Sequence, residues 1–384
     1  MSKIEEMIKR LCPNGVERVR LDSLLDYEQP TRYIVNSTEY DSKHSIPVLT
    51  AGQSFILGYT NEEDGIYKAS PQNPTIIFDD FTTGFHWVDF DFKVKSSAMK
   101  MLKLIESKKE NNFRYIYMAM KTIDYIPTNH TRHWISIYSK FEIPLPPLTI
   151  QREIVSVLDS FTTLIDKMKQ EVELRKKQMD YYREKLLLFD EHEAGFVKIK
   201  DLFDTKNGYT PSTKNPDFWT DKGIPWVKME DIRENGTVLS DSAKHITMSA
   251  VKGSKLFNAN SIILATSATI GIHALVKVPH LSNQRFTNIY PKKEYENKID
   301  MKYAYYYFFK IDRWCKEHVT LGNFAGVNMS DFYDYDFPVP PLSTQRSIVS
   351  TLDAFEQYIS KLERLITLHE KQYAYYREKL LTFE

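Results

Sequence analysis

Two cysteines in 384 residues, Cys12 and Cys315, are too few for a disulfide framework or a cysteine-based zinc site, so two reduced thiols are expected. Long apolar runs are missing as well. No window reaches the ~18 residues a spanning helix needs, and the first ten residues are charged every few positions, which leaves the cytoplasm as the expected compartment. Nor is there an excess of either charge. The 51 Lys and Arg balance 51 Asp and Glu, so no global basic field announces a polyanionic partner and any such site must be local. The glycines form no G-x-x-x-x-G-K phosphate loop, and His192-Glu193 lacks the second helical histidine of a zinc protease. What is present is a folded chain, 42% hydrophobic and 27% charged, with length for two or three domains at ~100–200 residues each.

An internal repeat organises it. Residues Ile143 to Phe189 align without a gap on Phe337 to Phe383 at an offset of 194, with 25 identities in 47 positions, far beyond chance. Each copy opens on prolines (144, 146, 147 and 338, 340, 341), passes Gln151-Arg152 or Gln345-Arg346, and closes on Tyr-Tyr-Arg-Glu-Lys-Leu-Leu. Proline keeps the preceding residue out of the helical region, so each copy enters from extended chain, and Thr149 or Ser343 would cap a helix start. From there apolar residues fall at steps of four and three: Ile154, Leu158, Phe161, Ile165, Met168 and Val172, matched by Ile348, Leu352, Phe355, Ile359, Leu362 and Ile366. That spacing predicts a coiled-coil seam, broken in both copies at one place, Arg175 and His369. A helix of about 40 residues is ~60 Å long, too long for the interior of a small domain. Two near-identical helices in one chain are expected to pair antiparallel about a pseudo-two-fold axis.

The intervening segments share only a faint scaffold. Val19 to Leu24 matches Val197 to Leu202 and Ile46-Pro47 matches Ile224-Pro225, both at an offset of 178. Ile76 to Phe78 matches Ile262 to Leu264 at 186, and Thr82 to His86 matches Thr269 to His273 at 187. β-Branched and aromatic runs at Val48 to Leu57, Pro74 to Phe81, Phe85 to Val94 and Ser261 to Ala268 predict strands, and Asn111 to Thr122 and Ile299 to His318 predict helices. The expected class is α+β, with two mixed domains separated by long antiparallel helices. The segments are domain 1 (1–142), first helix (143–190), domain 2 (191–336) and second helix (337–384).

Several of these residues resemble the specificity subunit of type I restriction–modification systems. They are Pro-Leu-Pro-Pro-Leu-Thr-Ile-Gln-Arg from 144, Pro-Val-Pro-Pro-Leu-Ser-Thr-Gln-Arg from 338, Asn207 to Ser212, Ile224 to Met229, Thr266 to Gly271, Leu49 to Gly52 and Phe78 to Thr83. The resemblance covers nearly the whole chain. It implies that each domain reads one half of a split double-stranded DNA site, while the helices set the gap and dock two methyltransferase subunits. It also implies a translocase–nuclease restriction subunit in the full complex. No cofactor is expected in this chain: S-adenosylmethionine would belong to the methyltransferase, and ATP and Mg to the restriction subunit. In agreement, no Asn or Asp precedes a Pro-Pro-aromatic element of the kind expected in an amino-methyltransferase.

Base-reading candidates are polar or cationic side chains on loops, Arg or Lys for guanine and Asn or Gln for adenine. The shared Thr-x-Gly-x-His loops offer Thr82, Thr83 and His86, with Thr269 and His273. Asn283, Gln284 and Arg285 form the richest cluster by residue type. Asn129, Arg132 and His133, with Asn323 and Asn328, precede the helices, and Tyr209, Thr210 and Lys228 complete the second domain's set. Lys169, Arg175, Lys176, Tyr181, Arg183, Arg364, Tyr375 and Arg377 are the expected partner contacts on the helices. Two other readings stay open: a scaffold whose ends bind proteins, and a nuclease using Asp79 or Asp80 with Asp91 and Lys93 around a metal.

Overall fold

The computed structural model describes residues 3–52, 54–129, 131–320 and 325–383. They form two compact units, Met1–Gln170 with Arg364–Glu384, and Glu171–Glu363.

In the first unit a four-stranded antiparallel sheet runs in the order Leu25–Glu28, Met99–Leu104, Thr75–Asp79, Phe85–Val88. In the second the order is Phe203–Asn207, Phe286–Pro291, Ser261–Ala265, His273–Val276, followed by the parallel strand Val238–Leu239. The faint offsets of the sequence are therefore a common sheet: Ile76 pairs with Leu102, and its equivalent Ile262 with Ile289. A second ladder recurs too, Ile46–Leu49 parallel to Lys93–Val94 and Ile224–Val227 parallel to Leu281–Ser282. The predicted strand Val48 to Leu57 is in fact two, Ile46–Leu49 and Ile56–Thr60, paired antiparallel around a turn that contains Gly52. Phe85 to Val94 is likewise split, into Phe85–Val88 and Lys93–Val94.

The long helices are Leu148–Leu186 and Leu342–Thr382. Each starts directly after its last proline, whose carbonyl accepts from Gln151 N or Gln345 N, so Thr149 and Ser343 lie inside the first turn and do not cap it. The pairing is antiparallel within each unit. Phe161 stacks on Tyr376 in the first (5.7 Å), and Tyr182 stacks on Phe355 in the second (5.6 Å). The helix ends close opposite cores: Leu187 lies in the second unit's core, and Leu380 and Leu381 lie in the first unit's. At the break in the seam Arg175 reaches sideways to Glu171 and Gln178 and covers the Tyr358 ring, while His369 lies half-buried beside Phe161.

One glutamine joins each sheet domain to its helix. Gln151 Oε1 accepts from the backbone N–H of Asn112, the residue capping helix Phe113–Met120, and its Nε2 donates to Pro146 O and Asn111 Oδ1. Gln345 does the same with Asp300 N, the cap of helix Met301–Glu317, and with Pro340 O and Lys298 O. Both glutamines are buried, and Tyr115 and Tyr303 add matching bonds to Pro144 O and Pro338 O. A buried polar group that loses its partner costs its full desolvation. Gln345→Ala strands three groups at once and is expected to destabilise the second unit by about 2–4 kcal/mol, measurable by chemical unfolding.

Both cysteines are free, and burial together with Asp312 pushes the Cys315 thiol up to about 12, which leaves it an inert core residue.

Candidate nucleic-acid interface and docking faces

In the first unit, two adjacent aspartates build a polar edge. Asp79 Oδ1 accepts from the backbone N–H groups of Phe81 and Thr82, which folds the turn after strand Thr75–Asp79. Asp80 turns inward. Its Oδ1 accepts from Trp134 N, its carbonyl from His133 N, and its Oδ2 faces Lys100 Nζ at 3.2 Å in a fully buried pair. The segment carrying Asn129 and Arg132 is thereby tied beside the Thr82 turn, and Phe81, Thr82, Pro127, Thr128 and Asn129 line one open cleft of about 500 Å³. Arg132 is exposed and its guanidinium meets no partner among the described residues.

The second unit builds its edge differently. Gly208 lies so close to the next segment that a Cβ there would sit 2.2 Å from Ser282 O, and Tyr209 N donates to that same carbonyl. Thr210 Oγ1 then donates to Gln284 Oε1 at 2.6 Å, and Asn283 N donates to Val227 O, which brings in the strand leading to Lys228. Asn283 Oδ1 accepts from Arg285 N, while the Arg285 side chain is exposed without a partner among the described residues. Thr210, Lys228, Asn283, Gln284 and Arg285 thus converge. Lys252, which sequence reasoning passed over, joins them by lying 4.6 Å above the Tyr209 ring.

Other candidates serve the scaffold. His133 is fully buried, donating to Asn129 O and bonded to Tyr125 Oη. His273 is equally buried, with its ring nitrogens facing Asp312 Oδ2 at 2.6 Å and Tyr305 O at 2.9 Å. Neither reaches a base. His86 donates to Gly52 O and lies against Phe55, Thr83 is buried at a φ of 57°, and Thr269 is half-buried in the matching turn. That shared loop is mainly a turn, with Thr82 its exposed member. Asn328 caps helix Met329–Tyr333, and Tyr209 is a strut whose hydroxyl accepts from Lys252 N. Asn323 lies outside the described residues.

The nuclease arrangement does not assemble. Asp91 pairs with Lys68 at 2.7 Å, and Lys93 is buried against Glu62 at 2.8 Å and Asp64 O at 2.7 Å, so each is engaged with its own partner. Among the described residues no three His, Cys, Asp or Glu side chains gather as a metal site would need, and no helix is long and apolar enough to cross a membrane.

On the long helices, several expected partner contacts are engaged within the chain. Lys169 meets Glu370 at 2.8 Å and Lys176 meets Glu363 at 2.9 Å, which raises both lysines above their ordinary pKa. Arg183 bonds Asp180 and covers Phe309, and Arg377 lies over Tyr373. Arg364 is exposed. Tyr181 and Tyr375 stand 61% and 58% exposed, and Leu174 and Leu368, seven residues before each, are 61% and 48% exposed. The same two residues recur at the same outward positions of both helices, flanked by the exposed lysines 167 and 177 or 361 and 371. Leu174 and Leu368 were legible as identities that the seam does not use.

The family described as Type I restriction modification DNA specificity domain matches residues 13–174 and again 191–370. The chain is 39% identical, over all of its length and 98% of the relative's, to the type I restriction enzyme EcoR124I/EcoR124II specificity subunit of Escherichia coli. It is 42% identical to the EcoprrI specificity subunit of Escherichia coli over 53% of each chain. Its fold is similar to that of the type I restriction-modification S subunit from M. genitalium, with a TM-score of 0.60 at 15% identity over 96% of this chain and 97% of that one.

Proposed function

The chain belongs to the type I restriction–modification specificity subunits, and from that premise we propose which of its parts reads, which spaces and which docks. Its role is sequence recognition for the complex rather than catalysis. The first domain reads one half of a bipartite site in duplex DNA through Thr82, Asn129 and Arg132. The second reads the other half through Thr210, Lys228, Asn283, Gln284 and Arg285. The observation that carries this is the pair of unlike polar edges on one duplicated scaffold: a common sheet positions them, and their different side chains demand an asymmetric site.

The long helices set the gap between the halves. Their repeated outward residues, Leu174 with Tyr181 and Leu368 with Tyr375, dock two copies of one methyltransferase subunit, since a single partner surface needs the same anchors twice. S-adenosylmethionine is bound by that partner, and ATP and Mg by a translocase–nuclease subunit, all in the cytoplasm with the DNA. Net neutrality fits this division, because phosphate contacts fall to partners that wrap the duplex.

The test is methylation mapping of DNA from cells that carry this chain with its methyltransferase partner, against cells lacking the chain. A methylated, two-part asymmetric motif that vanishes with the chain is expected. No difference, with the partner expressed and bound, would replace this reading with the protein-binding scaffold.

A further inference from the structure

The two repeats keep the same seam but not the same edges. Phe161 on Tyr376 in one unit and Tyr182 on Phe355 in the other are one contact seen from both ends of the repeat, since Phe161 corresponds to Phe355 and Tyr182 to Tyr376. Seam stacking therefore cannot tell a first-repeat helix from a second-repeat one. A first-repeat helix facing another first-repeat helix would stack Phe161 on Tyr182 just as well.

The ion pairs beside the seam do differ. Lys169 faces Glu370, and Lys176 faces Glu363. Under the repeat, Lys169 corresponds to Glu363 and Lys176 to Glu370, so both lysines lie on the first helix and both glutamates on the second. In the same register, two first-repeat helices would oppose Lys169 to Lys176 twice, and two second-repeat helices would oppose Glu363 to Glu370 twice. Edge charges choose partners in this way in paired helices, through repulsion in the wrong pairing as much as attraction in the right one.

We propose that Lys169, Lys176, Glu363 and Glu370 sort helix pairing in this chain, so that a first-repeat helix accepts a second-repeat helix and rejects the first-repeat helix of another molecule. The duplicated seam supplies adhesion and the edges supply choice. This goes beyond the proposed function and rests on helix register alone, so it stands or falls independently of the methylation map.

Charge reversal in the full-length chain imposes each wrong pairing in turn. K169E/K176E makes both edges anionic, E363K/E370K makes both cationic, and the quadruple variant restores opposition with the signs exchanged. At low salt each double variant is expected to melt ~3–6 °C below wild type. The quadruple variant is expected to return to within about 1 °C, which also shows that the substituted helices still fold. At ~1 M salt, where the screening length is ~3 Å, the differences should shrink to a minor fraction. Double variants that melt like wild type, or a quadruple variant that melts as low as the doubles, would overturn the sorting role.

Discussion

Arg285→Ala is expected to relax the half-site of the second domain at one base pair, lowering affinity for the preferred sequence by about 1–3 kcal/mol and leaving the other half-site intact. Asn283 holds the Arg285 backbone N–H, the Thr210–Gln284 bond fixes the neighbouring side chain, and the Arg285 guanidinium has no partner among the described residues. A planar fork on a rigid loop suits two-point contact with guanine. Removing it should cost little folding energy, because it has no partner among the described residues to lose. The measurement is a methylation map of the variant beside its binding at several salt concentrations. Tolerance of several bases at one position, with the salt slope unchanged, marks a base contact. A slope lower by about one with the motif unchanged would make Arg285 a phosphate contact instead. Arg132→Ala should produce the mirror result, confined to the first half-site.

A change of comparable size is expected from lengthening the helices. Seven residues inserted after Val172 and seven after its equivalent Ile366 preserve the heptad seam and add ~10 Å to each helix at 1.5 Å per residue. The insertions fall between the two ion pairs on each helix, away from the glutamine joints. The preferred gap should widen by two to three base pairs at 3.4 Å each, the larger figure belonging to a helix aligned with the duplex. Methylation mapping reads the gap directly. A motif with its original gap would show that the helices do not set spacing.

Much of the architecture was legible because it rests on periodicity and repetition. The seam, both helix spans and the common scaffold follow from spacings that any alternative packing would violate. The reading edges were legible only by composition. Asn283, Gln284 and Arg285 stand together in the chain, and the fold merely brings Thr210 and Lys228 to them. His273 was not legible as buried because its partner is remote: it is fixed by Asp312, 39 residues on, and nothing near it in sequence signals burial. Asn328 is a different case. Asn followed by Asp331 three residues later is the local signature of a helix start, and Asn328 Oδ1 accepts from Ser330 N as that cap while its Nδ2 donates to Asp331 Oδ2. The turn inside Val48 to Leu57 was legible in Thr50-Ala51-Gly52-Gln53-Ser54, which interrupts the apolar residues, and reading the flanking apolar residues as one run hid it.

The matched glutamine joints make the two sheet domains interchangeable fittings. Each sheet domain offers its glutamine one helix-cap N–H and one nearby oxygen, Asn111 Oδ1 in the first and Lys298 O in the second, so a domain of foreign sequence needs only a helix cap and a nearby carbonyl or amide to seat correctly. Recombination in the repeated coding stretch can therefore deliver a finished reader in one event, whereas point mutation must alter one loop residue at a time. Lineages built this way should diversify by shuffling whole readers while their helices stay nearly fixed.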